Sequence, residues 1–157
     1  MSEILLVWVG RRAPEGVEGM ALEYASRLSR YLPFGEVRVR PAAGRGDTRR
    51  ALAAEAAAVR KHLVPGDTLV VLDERGRERT SEELARWLAA RRQLGRTVFV
   101  IGSDLGLDPA LKKEARDRFA LSRLTLPHTL ARVLLLEQLY RACDLLAGGQ
   151  YHRRETG

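Results

Sequence analysis

Asparagine is absent from this sequence of 157 residues, and cysteine occurs once, as Cys143. A single cysteine excludes an intramolecular disulfide or a cysteine-based zinc cluster, and it fits a reducing, cytoplasmic setting. The lack of asparagine, a thermally fragile residue, is in keeping with a heat-adapted source. His62, His128 and His152 stand far apart with no partner at ligand spacing, so no metal is expected. No apolar run reaches the roughly 20 residues of a membrane helix, so no membrane partner is expected. The early run ILLVWVG (Ile4–Gly10) is too short, and with only Glu3 and no basic residue ahead of it a signal peptide is excluded too. Three ligand motifs are also missing. VGRRAPEG follows the first apolar run where a dinucleotide fold needs Gly-x-Gly-x-x-Gly, and neither a Gly-x-x-x-x-Gly-Lys phosphate loop nor a Gly-x-Ser-x-Gly hydrolase elbow occurs.

Arginine, by contrast, is abundant. Lys+Arg number 27 against 20 Asp+Glu, a net charge of +7, and nearly all the cations are arginine. Guanidinium forks match phosphates and stack on bases, so such a surface suits RNA. A GC-rich genome would raise arginine, alanine, leucine and glycine together and account for it equally well. At 45% hydrophobic and 30% charged, the chain has the composition of a single globular domain, with no internal repeat, linker or low-complexity stretch.

Five apolar runs alternate with helical patterns. ILLVWVG is the first strand, and a helix follows Pro14 over PEGVEGMALEYASRLSRYL. GEVRVRP alternates in period two, as a second strand more exposed on one face does. A basic glycine loop with Arg45, Arg49 and Arg50 then opens an Ala-rich helix, capped by Asp47 or Thr48. DTLVVLD (Asp67–Asp73) is a continuous run fit for a central strand, with ERGRER as its connection. TSEELARWLAARRQLG begins with the Thr80-x-x-Glu83 spacing of a capping box and ends at Gly95. TVFVIG is the fourth strand, LDPALKKEA a short helix with Pro109 in its first turn, and RFALSRL the fifth strand. The last helix spans about Pro127 to Leu146. Strand–helix alternation of this kind gives an α/β fold with a largely parallel sheet covered on both faces.

In open parallel sheets, ligands bind beyond the carboxyl ends of the strands. Three ends stand out: LDERG (Leu72–Gly76), IGSDLGLD with Gly102 and Gly106, and LSRLTLPH after the fifth strand. Glycines there permit close approach of a ligand, although ordinary turns use them as well. In the last helix Leu130, Val133, Leu134, Leu136, Leu139, Tyr140 and Cys143 cover more than one face, so several neighbours, or a second subunit, must cover it. Glu137 and Arg141 have the spacing of a helical ion pair, and at an interface they could instead orient one another beside a substrate. Glu82 and Glu83 open a helix, where the dipole accounts for them. His128, at a helix start, suits a structural hydrogen bond. The tail GGQYHRRETG gathers Tyr151, His152, Arg153 and Arg154, which could stack on a base, move a proton and hold a phosphate, or simply be solvated.

Taken in order, LDERG, IGSDLG, LSRLTLPHTLARVLLLEQLYRA (Leu121–Ala142) and a terminal YHR resemble the small SPOUT-class RlmH family, methyltransferases that act on N3 of a pseudouridine in large-subunit (23S) ribosomal RNA. The resemblance spans the whole chain as one domain, including VGRR near the start. It implies a SPOUT-type parallel sheet flanked by helices, a C-terminal trefoil knot with the cofactor site at about 70–146, a tail over 147–157, and a homodimer working on the ribosome. It also implies S-adenosyl-L-methionine as cofactor. Leu72, with Asp73 beside it, and the segment Leu121, Ser122, Arg123, Leu124, Thr125 and Leu126 would hold the adenosyl group. Gly102, Ser103 and Gly106 would line the methionine and ribose side. Glu137, Arg141, Tyr151, His152 and Arg153 match positions associated with substrate or catalysis, with His152, or a water it orients, accepting the N3 proton and Arg153 placing the nucleotide. The chain departs from the family at Ser103, where Gly is usual, and at Asp104-Leu105, where Pro-Glu is usual. The alternatives are a ribosome-binding factor that kept the fold without activity, or a SPOUT enzyme with another RNA target.

Overall fold

The computed structural model describes residues 2–42 and 46–152. The five apolar runs become parallel strands β1 (Ile4–Val9), β2 (Phe34–Val39), β3 (Thr68–Glu78), β4 (Thr97–Ile101) and β5 (Asp117–Ala120). They form one sheet in the order β2-β1-β4-β3-β5, with Ile4 paired to Phe34 and Thr97, and Thr97 to Thr68. Between them run α1 (Glu15–Leu28), α2 (Thr48–Arg60), α3 (Ser81–Ala90) and α4 (Pro109–Glu114), and α5 (His128–Leu146) closes the fold.

Continuous apolar runs suit these strands because both faces are covered. Ile4, Leu6, Trp8, Val70, Phe99 and Ile101 point to one side, against Leu28 of α1, Leu84 and Leu88 of α3, and Leu135, Leu136 and Leu139 of α5. Their neighbours Leu5, Val7, Val9, Val71, Val98 and Val100 point to the other, against Ala56 and Val59 of α2 and Leu111 of α4. The helix start signals also hold, whereas α3 ends at Ala90, five residues short of Gly95, and the chain reaches that glycine through turns. Asp47, not Thr48, caps α2 by accepting from Arg50 N at 3.1 Å. Thr80 and Glu83 exchange both bonds of the capping box, and Pro109 is in the first turn of α4.

Two strand boundaries differ from the sequence reading. ERGRER is not a connection: β3 continues to Glu78, because β5 offers it a second stretch of ladder. Leu72 and Arg77 both pair with Phe119, so residues 73–76 bulge out of the sheet between them. RFALSRL is strand only to Ala120. Edge strand β5 has one neighbour, and β3 ends opposite Ala120 at Glu78, so Leu121 onward has no ladder to join. The chain instead leaves in bends, with Ser122 Oγ accepting from Leu124 N at 2.9 Å, and enters α5 after Pro127.

The last helix is covered by α1 and α3, as its composition demands, but not all round. Leu130 (48% exposed) and Leu134 (41%) form an uncovered stripe on it.

Candidate functional site

The order β4-β3-β5 makes neighbours of the three strand ends singled out in the sequence. Together they enclose a cleft of about 570 Å³. Its walls are the bulge after Leu72, the glycine loop after Ile101 and the segment that follows β5. Leu72, Asp73, Gly102, Ser103, Gly106, Leu121, Ser122, Leu124, Thr125 and Leu126 all line it. Arg123 does not: its side chain turns outward, 87% exposed, and pairs with Glu78.

The glycine loop is built by close backbone approach. Gly106 has φ +91°, a conformation open to glycine, and its N–H donates to Ser103 O at 2.8 Å. A β-carbon on Gly102 would collide with the carbonyl of Gly106. Ser103 sits between them without strain, since no non-glycine residue among those described has positive φ. Its hydroxyl donates to Glu55 Oε1 at 2.7 Å.

Sequence reasoning missed several residues of this cleft. Lys112, one turn into α4, reaches Asp73 at 3.4 Å, and Glu74 accepts from Thr125 Oγ1. His128 does make the structural hydrogen bond expected of it, Nδ1 to Asp104 Oδ1 at 3.0 Å, but in doing so it forms part of the cleft wall. Its ring stacks on Trp8 at 6.2 Å between centroids and occupies the space a side chain on Gly10 would need. Only the alternation of LSRLTLPH hinted at this junction; nothing local links Trp8 and Gly10 to residues more than a hundred positions later.

A larger opening of about 700 Å³ lies between α1, β2 and α5. Its buried cation is already matched: Arg132 donates to Glu18 (2.6 and 3.1 Å) and to Glu36, and lies 4.6 Å over the Trp8 ring. The smaller cleft, at the strand ends and rimmed by backbone, is the better candidate ligand site.

The second predicted group assembles elsewhere. Arg141 donates to Glu137 Oε1 through Nε (3.0 Å) and Nη2 (2.6 Å), the ion pair expected from their spacing. Tyr151 donates its hydroxyl to the same oxygen at 3.0 Å, beneath the Arg141 guanidinium at 4.5 Å. His152 lies 3.3 Å from Arg141 Nη1 and 2.9 Å from Glu82 Oε1. Tyr151 and His152 are therefore tied down rather than solvated, and Glu82 serves the tail in addition to the helix dipole. Burial, with the adjacent Glu137 carboxyl group, pushes the Tyr151 phenol well above its ordinary range. A backbone hydrogen bond and then His152 hold Glu82 below the usual carboxyl range. Arg153, like Arg45 in the basic loop, lies outside the described residues.

Cleft and tail cluster are separated along α5. Ala131 lines the cleft and Arg141 belongs to the cluster, and ten residues of helix rise roughly 15 Å. Of the uncovered stripe, Leu130 stands beside the cleft end and Leu134 lies between the two. Among the described residues no group of three His, Cys, Asp or Glu could hold a metal, and no helix is long and apolar enough to cross a membrane.

Known proteins share this layout. A methyltransferase of Bordetella pertussis, described as probable, superposes with TM-score 0.55 at 16% identity, over 90% of this chain and 95% of its own. A methylase-family protein of Haemophilus influenzae gives 0.55 at 17%, over 95% and 69%. At such identities the likeness is one of fold. Sequence relatives are nearer. The ribosomal RNA large subunit methyltransferase H of Gloeobacter violaceus is 44% identical over 149 residues, 95% of this chain and 97% of that protein. That of Dechloromonas aromatica is 42% identical over 153 residues, 96% and 98%. The family model described as "Predicted SPOUT methyltransferase" matches residues 2–152. A parallel sheet with a glycine-walled cleft at its strand ends and a match running through nearly the whole chain lead to one conclusion: this chain belongs to the SPOUT methyltransferase family.

Proposed function

We propose that the chain transfers a methyl group from S-adenosyl-L-methionine to N3 of a pseudouridine in 23S ribosomal RNA, on the ribosome and in the cytoplasm. The observation that carries this reading is the cleft itself, in a chain colinear with the large-subunit rRNA methyltransferases over 95% of its length. The residues present fit the cofactor. Leu72, Leu121 and Leu126 offer apolar walls for an adenine ring. Gly106, with open space where a β-carbon would stand, lets backbone meet ribose and methionine, and Asp73, Glu74 and Asp104 around the cleft suit a cation.

The cofactor supplies an already activated methyl group on a sulfonium. What remains for this chain is alignment of an in-line displacement and removal of the N3 proton. His152, or a water it orients, accepts that proton, while Arg153 and Arg141 hold the nucleotide, and Tyr151 and Glu137 fix Arg141 in place. The basic stretch with Arg45, Arg49 and Arg50 binds the RNA backbone, a contact that weakens with salt.

We also propose that this site is shared by two subunits. Along α5, Ala131 in a chain's cleft and the Arg141 that meets its own His152 are roughly 15 Å apart, which favours a partner subunit as the source of the proton acceptor. Two α5 helices related by a two-fold axis, meeting through Leu130 and Leu134, would bring the cleft of one chain to the cluster of the other. The trefoil knot belongs to the same proposal. In its support, the chain leaves edge strand β5 and returns to lay α5 between α1 and α3, over the middle of the sheet.

The test is transfer of labelled methyl from S-adenosyl-L-methionine to ribosomes lacking the modification, followed by mass mapping of 23S RNA. A single N3-methylated pseudouridine is expected. Cofactor binding without methylation of any ribosomal RNA would favour a non-catalytic ribosome-binding factor.

A further inference from the structure

One side chain joins the glycine loop after β4 to the segment that leads into α2. Glu55, on α2, is 5% exposed, and both of its carboxyl oxygens are engaged. Oε1 accepts the Ser103 hydroxyl proton at 2.7 Å, and Oε2 accepts the backbone N–H of Ala42 at 2.9 Å. Ser103 Oγ in turn accepts from Leu105 N at 3.3 Å, within the turn that presents Gly106. Burying a carboxyl group is unfavourable unless its hydrogen bonds are made, so these contacts are strongly selected within the fold.

The two attached segments do different work. Residues 104–106 are exposed, so the loop tip gains little from packing and depends on its anchor at Ser103. Ala42 begins the stretch that carries Arg45 and ends at exposed Arg49 and Arg50 in the first turn of α2. A glycine at position 103 would give Glu55 Oε1 no hydroxyl to accept from. We propose that Glu55 is a positioning residue, holding the cofactor loop through the Ser103 hydroxyl and the root of the arginine segment through Ala42. One carboxyl group thereby registers the cofactor side of the site against its RNA side. This inference rests on the reading of the cleft as the S-adenosyl-L-methionine site.

The experiment is calorimetric titration of the whole protein with S-adenosylhomocysteine, for wild type, Ser103→Ala, Glu55→Ala, Glu55→Gln and the double alanine variant. Losing a hydrogen bond that fixes the loop should weaken binding about tenfold in each single alanine variant. The double variant should also lose about tenfold rather than a hundredfold, because both changes break one contact. Glu55→Gln should stay close to wild type, since an amide can donate to Ser103 Oγ while its carbonyl accepts from Ala42. Association with a 23S RNA fragment should lose salt dependence in Glu55→Ala but keep it in Ser103→Ala. Wild-type affinity in Ser103→Ala, an additive double variant, or a lowered melting temperature with unchanged affinity would overturn the inference. If Glu55→Ala fails to fold, Ser103→Ala and Glu55→Gln still decide it. A wild type that takes up no S-adenosylhomocysteine brings down the reading of the cleft itself, and this inference with it, whereas a wild type that binds beside an equally competent Ser103→Ala removes this inference alone.

Discussion

Gly102 and Gly106 flank Ser103 for different reasons. Gly106 is fixed by its backbone, at φ +91°, and Gly102 by the carbonyl of Gly106 pressing where a β-carbon would stand. Gly102→Ala must move the loop, and Gly106→Val forces a β-branched residue into a left-handed conformation. Each should weaken S-adenosyl-L-methionine binding about tenfold or more by calorimetry, with native circular dichroism, given the strain of roughly 1–3 kcal/mol at such positions. Unchanged affinity in both would remove the loop from the cofactor site. At this scale the phenols also set an alkaline limit. A hydrogen bond to Asp144, then burial, pushes Tyr31 up to about 12, and burial with Glu137 raises Tyr151. A raised acid stabilises the fold fully below its unfolded value, about pH 10 for tyrosine, and the gain is lost as pH climbs through the folded value. Denaturant midpoints should therefore fall above about pH 10, and less steeply in Tyr31→Phe and Tyr151→Phe. Parallel curves for the variants and the wild type would contradict this account.

α5 is the element on which most of the molecule converges, and its most deeply buried charge was not visible in its apolar pattern. Arg132 is 2% exposed, held by Glu18 of α1 and Glu36 of β2 beneath the ring of Trp8 in β1. Desolvation works against its charge, but the hydrogen bonds to Glu18 and Glu36 win and raise its pKa. Arg132→Met would keep much of the packing and leave Glu36 half-buried without its cation. Removing one partner of a buried pair costs about 3–5 kcal/mol, and partial exposure of Glu18 places this case near about 3. Urea unfolding should register that loss; a change under about 1 kcal/mol would show the pair to be dispensable. The hydrogen bond from Arg132 also depresses Glu18, so its contribution is present above the ordinary carboxyl value of 4.5 and is lost as pH falls below it. The variant should accordingly show a shallower acid limb.

For the whole molecule, the decisive question is how a cleft and a tail cluster about 15 Å apart on one helix can act together. Mixing two inactive variants answers it. Gly106→Val blocks the cleft, and His152→Ala with Arg153→Ala disables the tail. If two subunits share each site, a refolded heterodimer has one site in which an intact cleft meets an intact cluster, so activity should return to about half per dimer. If each chain is self-contained, every site keeps a lesion. Heterodimers verified by mass and found inactive would refute sharing. Replacing Leu134 with Glu should separate subunits that meet on that stripe, measured by light scattering, and abolish methylation while leaving the described core untouched.

By itself the sequence determined the layered α/β fold, because continuous apolar runs need cover on both faces and the caps at Asp47 and Thr80 mark helix starts by local chemistry. It also determined the Glu137–Arg141 pair, since four residues make one helical turn. The family motifs placed ten residues of the cleft wall, Ser103 among them. Only the tertiary structure decided the rest. Strand order was invisible to periodicity, and it is what makes the three loops neighbours. β3 outran its apolar run because β5, forty residues on, supplied ladder partners on both sides of a bulge. Trp8 came to support His128, and Glu55 came to hold both Ala42, 13 residues away, and Ser103, 48 residues away. Local sequence carries local propensities and faces, but which polar group meets which across the fold is settled only when the layers pack and every buried hydrogen-bonding group must find a partner.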